Sequence, residues 1–244
     1  MMNTQPTGTF YGIGVGPGDP DLIPLKSLKI LSQVQVIFAA ASSKNNYSQA
    51  VAIAKPHLPV HVKVRLLSFP MTKAMEEKKS SWRANAKTII TELEKGLDVA
   101  FLTLGDSMTY ATYGYILKYI QVIAPHIHIE TIPGITSYQA AAARVNIPLV
   151  EGEESLLVLS GVEGGHRLRQ LSFYAENVVF LKAYRNTRDI TEALDEAGML
   201  ESSVCVTNCG RENEEIITDL KELDQRPPGY WTLIIAKQVN KNET

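Results

Sequence analysis

Short apolar runs rich in β-branched and aromatic residues alternate along the chain with stretches whose apolar positions recur every three or four residues. That alternation predicts parallel strands joined by crossover helices, an α/β protein. In the first half, strands are expected at Thr9 to Val15, Val34 to Phe38, Val62 to Leu67 and Val99 to Leu104. Helices are expected around Leu22 to Leu31, Tyr47 to Lys55, Arg83 to Lys95 and Tyr113 to Ile123, with Gly96 placed as a C-cap. Pro125 must end the last of these, because a proline pushes the residue before it out of helical geometry. The domain boundary is expected there, giving an N-terminal α/β domain over residues 1–124 and a C-terminal α/β domain over 125–244.

The second half restarts with a strand at Ile127 to Ile132 and continues with strands at Leu156 to Leu159, Val178 to Leu181, Val204 to Thr207 and Trp231 to Ala236. Its helices are expected at Thr136 to Val145, Arg167 to Tyr174 and Asp189 to Ala197, the last capped by Gly198. The charged, aperiodic segment Met71 to Ser81 suits a mobile flap, a solvated loop or the start of a helix.

Composition narrows the function classes. The 244 residues are enough for two compact lobes with proper cores, and a formal net charge of −2 supplies no global field for gathering nucleic acid. An acidic partner must be held by local basic groups. Met1 to Gly8 is polar and no run is long and apolar enough for a membrane span, so a cytoplasmic enzyme is expected. Cys205 and Cys209 are the two cysteines; a bridge between them would close a tiny loop, and two reduced thiols fit a reducing compartment. The spacings of His57 with His61, and of His126 with His128, complete no metal site, and no metal is expected. No Gly-x-Ser-x-Gly elbow occurs.

Three loops carry candidate chemistry, each at the carboxyl end of an expected strand, where open α/β sheets place ligands. The first is Gly12-Ile13-Gly14-Val15-Gly16-Pro17-Gly18-Asp19-Pro20. It is neither common nucleotide fingerprint: the third glycine of a dinucleotide loop would fall on Pro17, and the chain has no Gly-Lys pair for a P-loop. Pro17 and Pro20 also prevent an immediate helix, which favours a ligand without a pyrophosphate. A glycine-rich turn that only reverses the chain reads equally well. The second loop is Leu104-Gly105-Asp106-Ser107-Met108-Thr109-Tyr110, whose carboxylate suits ribose hydroxyls or a cationic group. In the third, Ile132-Pro133-Gly134-Ile135-Thr136-Ser137-Tyr138, a sharp turn leads to Thr136 or Ser137, either of which also suits a plain helix N-cap.

Together these loops resemble the tetrapyrrole (corrin/porphyrin) methylase family, which includes uroporphyrinogen methyltransferases, diphthine synthases and a group of ribosomal RNA methyltransferases. The resemblance covers nearly the whole chain and is strongest to the branch that methylates C20 of precorrin-2 or cobalt-factor II in cobalamin biosynthesis. It is carried by Tyr11 to Pro20, Phe69-Pro70-Met71, Leu104 to Tyr110 with the following Ala111-Thr112-Tyr113, and Pro133 to Arg144 running into Pro148-Leu149.

The resemblance implies two α/β domains with mainly parallel sheets, S-adenosylmethionine as methyl donor in the cleft between them, a tetrapyrrole substrate and a homodimer. Cofactor contacts would fall on Pro17, then on Leu104, Gly105, Asp106, Met108 and Thr109, then on Thr136 and Ser137, and finally on Lys182, Gly210 and Thr232. Two departures stand out. The family usually has Gly-Asp-Pro where this chain has Gly105-Asp106-Ser107, which leaves that turn less rigid in φ. Many relatives outside the C20 branch carry methionine at Lys182, so a contact there is expected through backbone atoms.

Methyl transfer to carbon is an in-line displacement that needs alignment and exclusion of water more than a dedicated base. Tyr110, at the tip of the second loop, is a weak candidate for guiding the departing proton, and no catalytic residue is assigned. The substrate's peripheral carboxylates call for guanidinium forks, with Arg167, Arg169, Arg185 and Arg188 as candidates and Lys44, Lys73 and Arg83 behind them. Around Arg167, the segment Gly161 to Arg169 suits either carboxylate binding or a solvated first helical turn. The competing readings are another methyltransferase of the same family, on a different precorrin, diphthine or ribosomal RNA, and a non-catalytic module that binds S-adenosylmethionine or a tetrapyrrole.

Overall fold

The computed structural model describes residues 6–42 and 47–238, so Lys44 lies outside the described residues. The chain divides into two compact units, Met1–Thr136 and Ser137–Thr244.

In the first unit the elements run β1 (Phe10–Gly14), α1 (Leu25–Leu31), β2 (Val36–Ser42), α2 (Gln49–Ala54), β3 (Lys63–Phe69), α3 (Met75–Leu93), β4 (Val99–Thr103), α4 (Tyr113–Ile123) and β5 (Ile129–Ile132). The five strands form one parallel sheet in the order β3-β2-β4-β1-β5. Its central strand β4 is buried throughout, which is why it reads as an unbroken apolar run. Val99 and Phe101 face a core with Ile89, Leu93, Ile116 and Ile120 of α3 and α4. Ala100 and Leu102 face the other core, with Ile30, Leu31, Ile53 and Ala54 of α1 and α2.

One side chain dictates the residue opposite it. Tyr113, the first residue of α4, is fully buried and reaches across β1 to place its hydroxyl 2.6 Å from Thr131 Oγ1 on β5. A Cβ on Gly12 would lie 2.1 Å from the Tyr113 ring, so the β1 position under the ring must have no side chain. Burial pushes the Tyr113 phenol above its ordinary pKa, partly offset by the bond to Thr131, and keeps it neutral at physiological pH.

The second unit contains α5 (Ser137–Val145), β6 (Leu156–Ser160), α6 (His166–Leu171), β7 (Asn177–Leu181), α7 (Thr187–Glu196), β8 (Ser203–Thr207), β9 (Glu215–Ile217) and β10 (Thr232–Lys237). Its sheet runs β6-β7-β10-β8-β9. Only β6 and β7 pair in parallel; β10 inserts antiparallel between β7 and β8, and β9 pairs antiparallel with β8. Ala141 and Ala142 of α5 pack with Val179, Val206 and Ile235 on one face of that sheet. On the other face Leu168 of α6 and Ile190 and Leu194 of α7 pack with Phe180, Cys205 and Ile234.

The expected α/β class and nearly all of the expected elements are present, and Gly96 and Gly198 take up the left-handed backbone (φ +78° and +69°) that a C-cap glycine adopts. The division of the chain differs from the expected one. Pro125 does end α4, but the strand after it pairs with β1, from Phe10↔Ile129 to Ile13↔Ile132, and so closes the first sheet instead of opening the second. A proline marks where a helix stops and carries no information about which sheet the next strand joins. Residues 75–81 of the charged segment form the first turns of α3, and the three-residue edge strand β9 is too short to show a period.

Gly12→Ala is expected to destabilise the protein by about 2–3 kcal/mol, because it overpacks a filled core against an immobile ring. Tyr113→Phe, which removes only the hydroxyl, is expected to cost about 1 kcal/mol. Urea unfolding measures both, and a Gly12→Ala protein as stable as wild type would contradict the ring's position.

Candidate functional site

The three glycine-bearing loops meet at the carboxyl end of the first sheet. Gly16 and Gly105 form an antiparallel bridge, Gly105 N–H donating to Gly16 O at 2.7 Å and Gly16 N–H to Gly105 O at 3.2 Å. Gly14 and Gly134 lie backbone to backbone beside them. A Cβ on Gly134 would sit 2.2 Å from Gly105 O, and one on Gly14 would sit 2.6 Å from Gly134 N. Backbones approach this closely only where side chains are absent. The glycine pattern in the sequence therefore records a mutual approach of three loops, beyond the chain reversal that one loop would need.

Asp106 fastens the arrangement. Its Oδ1 accepts from Met108 N–H at 2.9 Å and from the Thr109 hydroxyl at 3.1 Å, while its Oδ2 accepts from Gly134 N–H at 3.1 Å. Both carboxylate oxygens thus engage the protein's own loops, and the side chain works as a tie between the second and third loops. Ser107 is fully buried, and its hydroxyl and that of Thr103, the last residue of β4, have no hydrogen-bond partner among the described residues. Pro17 and Thr136 are buried, whereas Met108 and Tyr110 are exposed at the loop tip, with Tyr110 in left-handed backbone at φ +51°. Ser137 begins α5 and is half-buried.

In the second unit, Lys182, Gly210 and Thr232 come together because β10 runs between β7 and β8. Ala183 N–H donates to Thr232 O at 3.0 Å, Thr232 pairs with Thr207, and Asn208 N–H donates to Trp231 O at 2.8 Å. The Thr232 hydroxyl donates to Gly229 O at 2.6 Å. Lys182 (φ +59°) and Asn208 (φ +49°) hold left-handed backbone without being glycine, and Gly210 (φ +73°) follows two residues on. Non-glycine residues held this way cost about 1–3 kcal/mol each and gather at ligand sites.

Glu214 orders the turn that contains Gly210. It accepts from Gly210 N–H at 2.7 Å and pairs with Arg144 of α5. Burial opposes its charge, but the Gly210 N–H and the Arg144 guanidinium outweigh that and hold its carboxyl below the usual carboxylate range. Nothing in the sequence marked Glu214. Its only local signal is an acidic residue four positions after a glycine.

The four arginines separate into different roles. The guanidinium of Arg169 is closed over Asp189 (2.8 Å) and Glu196 (2.7 Å), pinning α6 to α7, and Asp189 also accepts from Gly165 N–H at 2.7 Å. It is a structural fork and not open to a substrate carboxylate. Arg188 pairs one turn along its own helix with Glu192 at 2.9 Å. Arg167 is exposed with no acidic partner among the described residues, and Arg185 lies 5.1 Å over the ring of Tyr184. Of the second-line candidates, Lys73 and Arg83 are exposed in the first unit.

Cys205 and Cys209 are free and buried. Burial pushes their thiols up to about 12 and about 11, which keeps both protonated and inert near neutral pH. Among the described residues no group of three His, Cys, Asp or Glu is placed to hold a metal ion, and no helix is long and apolar enough to cross a membrane.

The family model described as Tetrapyrrole (Corrin/Porphyrin) Methylases matches residues 9–224. The chain is 33% identical to the cobalt-precorrin-2 C(20)-methyltransferase of Salmonella typhimurium, over 95% of this chain and 97% of that protein. It is 30% identical to the precorrin-2 C(20)-methyltransferase of a Sinorhizobium species, over 96% and 97% of the two chains. Its fold superposes with a TM-score of 0.64 on a uroporphyrin-III C-methyl transferase from Thermus thermophilus in complex with S-adenyl homocysteine, at 21% identity and over 94% and 97% of the two chains.

Asp106→Ala and Glu214→Gln are each expected to lower stability by about 1.5–3 kcal/mol, the scale of a hydrogen bond to a charged group. The contribution of the Glu214 charge is present above its unfolded pKa of about 4.3 and is lost as pH falls below that value, because its folded pKa is the lower one. Glu214→Gln should therefore flatten the acid limb of the stability–pH curve, read by thermal melts; an unchanged limb would count against the pairing. Both thiols should resist a thiol reagent at about pH 8 in the native protein and react fully in urea, and a rapid native reaction would show that the site opens.

Proposed function

The chain belongs to the tetrapyrrole (corrin/porphyrin) methylase family, and from that premise we propose that it transfers a methyl group from S-adenosylmethionine to C20 of a precorrin-2-type tetrapyrrole in cobalamin biosynthesis. The observation that carries this reading is the near full-length match to relatives named for that reaction, at 33% and 30% identity. The matched span, residues 9–224, includes all three loops of the first unit and both the Lys182 and Gly210 turns of the second. The family model also spans enzymes with other substrates, which is why the C20 assignment rests on those named relatives.

The residues present fit S-adenosylmethionine. Around Gly105 and Asp106 two buried hydroxyls, Thr103 and Ser107, lack a hydrogen-bond partner among the described residues. At the second turn, strained backbone at Lys182 and Asn208 presents main-chain groups of the kind that read an adenosyl moiety without a phosphate cradle. The groups proposed to hold the cofactor are Pro17, the Leu104–Asp106 backbone with Met108 and Thr109, then Thr136 and Ser137, and the Lys182, Gly210 and Thr232 segments. When bound, it supplies an electrophilic methyl on a sulfonium.

The chain's own part is placement. Asp106 fixes the second and third loops relative to one another, and Glu214 fixes the Gly210 turn. Loops tied in this way would hold a bound donor in one orientation toward the ring carbon, and such alignment is worth up to about 7–11 kcal/mol of barrier. A donor held there would give its methyl to the ring carbon and depart as S-adenosylhomocysteine, and the ring would then release its meso proton to solvent. No side chain is assigned as a base. Tyr110 remains an exposed phenol at the loop tip. We place the enzyme in the cytoplasm, where two buried reduced thiols are stable, and assemble it as a homodimer, which sedimentation of the wild type checks.

Incubation with S-adenosylmethionine and, in turn, metal-free precorrin-2 and its cobalt form should release S-adenosylhomocysteine and give a product one methyl heavier. The form that reacts faster identifies the pathway. Binding of both ligands with no S-adenosylhomocysteine would replace the enzyme reading by a sensor. Because Asp106 acts through loop placement, Asp106→Ala should weaken S-adenosylmethionine binding by about tenfold in calorimetry, with Asp106→Asn intermediate; unchanged affinity in the folded variant would move the site elsewhere.

A further inference from the structure

Beside the Lys182 and Gly210 turns lies an aromatic cluster that belongs to none of the hydrophobic cores. The segment leaving β7 carries Tyr184 and Arg185, the segment entering β10 carries Tyr230 and Trp231, and the turn after β8 carries Arg211. The three are held side by side by the hydrogen bonds from Ala183 to Thr232 and from Asn208 to Trp231. Tyr184 and Tyr230 pack with ring centroids 4.9 Å apart, and Tyr230 meets Trp231 edge-on at 4.7 Å. Arg211 stacks over Trp231 at 4.4 Å, and Arg185 over Tyr184 at 5.1 Å. Tyr230 and Trp231 nevertheless remain 44% and 40% exposed.

These features do not suit a core. Aromatic rings that brace one another while staying open to water, flanked by guanidinium groups, form a surface that reads a flat π system carrying negative charge. Arg185 has no carboxylate partner among the described residues, so its charge is available to a ligand. A reduced tetrapyrrole has both properties, a broad conjugated face and a rim of acetate and propionate carboxylates. In a protein of net charge −2 its orientation must come from such a local cationic spot.

We propose that Tyr184, Tyr230 and Trp231, with Arg185 and Arg211, form a shelf in the second unit on which the substrate macrocycle lies, the rings meeting its edge or face and the guanidiniums its carboxylates. This rests on the tetrapyrrole reading above and names the side chains that bind the substrate. Because the shelf adjoins the Lys182, Gly210 and Thr232 backbone without including it, substrate and cofactor affinities should separate on mutation.

The probe is uroporphyrin III, a stable tetrapyrrole fully substituted with acetates and propionates. Trp82 and Trp231 are the two tryptophans, so a Trp82→Phe protein reports on Trp231 alone. Uroporphyrin III should quench its fluorescence saturably. Trp231→Ala and Arg185→Ala should weaken uroporphyrin binding, followed by the porphyrin's own absorption, by about tenfold or more. S-adenosylmethionine affinity should stay within about twofold by calorimetry. Trp231→Phe should retain most of the binding, which separates a lost ring from a misfolded strand. If the wild type binds uroporphyrin III while Trp231 stays unquenched and both alanine variants keep their affinity, the shelf is wrong and the methyltransferase assignment stands. Failure of the wild type to bind it overturns the shelf, and the methyl-transfer assay then decides whether the assignment falls too. If Trp231→Ala breaks a two-copy species apart without changing porphyrin affinity, the patch is an interface between copies and the proposal fails.

Discussion

The close approach of Gly14, Gly105 and Gly134 is the constraint on which the rest of the first unit's site depends. At Gly14 and Gly134 the backbones pack to distances that a Cβ would forbid, and Gly105, which a Cβ would not crowd, holds left-handed backbone at φ +69°. That lets the ends of β1, β4 and β5 come together as one rigid edge, with the loop tips at Met108 and Tyr110 held outward. The parallel sheet beneath is what aligns the three strand ends. Tyr113 contributes from below, crossing β1 at Gly12 to join β5, so a glycine is needed at that contact too.

A second theme recurs in both units: a carboxylate accepting from a glycine N–H. Asp106 does so with Gly134, Asp189 with Gly165, and Glu214 with Gly210. In each case the acid holds a loop whose backbone is too permissive to hold itself. Charge-assisted bonds of this kind are stronger than neutral ones, which suits turns that must stay in place beside a ligand. Asp106 and Arg169 both looked from sequence like groups that contact a ligand. In the structure Asp106 ties two loops together and Arg169 pins two helices.

The ligand sites proposed above draw on backbone, the Thr103 and Ser107 hydroxyls, and aromatic surface flanked by arginines. Lys182 and Asn208 hold left-handed backbone at a strand end, and Tyr230 and Trp231 stand exposed beside them, Asn208 N–H donating to Trp231 O. A flat substrate and an adenosyl donor ask for different chemistry, and in the proposals above adjacent segments of one sheet edge would supply each.

By itself the sequence determined the α/β class, nearly every helix and strand, the glycine caps and the three loops that matter, because those features follow from local periodicity and from residues with unusual backbone freedom. It also carried the family resemblance, since loops of that kind are read in order along the chain. Which sheet β5 joins, the antiparallel insertion of β10, the bonds by which Asp106 ties two loops and Arg169 pins two helices, and the meeting of Tyr184 with Tyr230 and Trp231 were decided only by the tertiary structure. Each of these depends on which distant segment lies alongside, and strand pairing and side-chain partnership across dozens of residues leave no period or spacing in a single chain to be read.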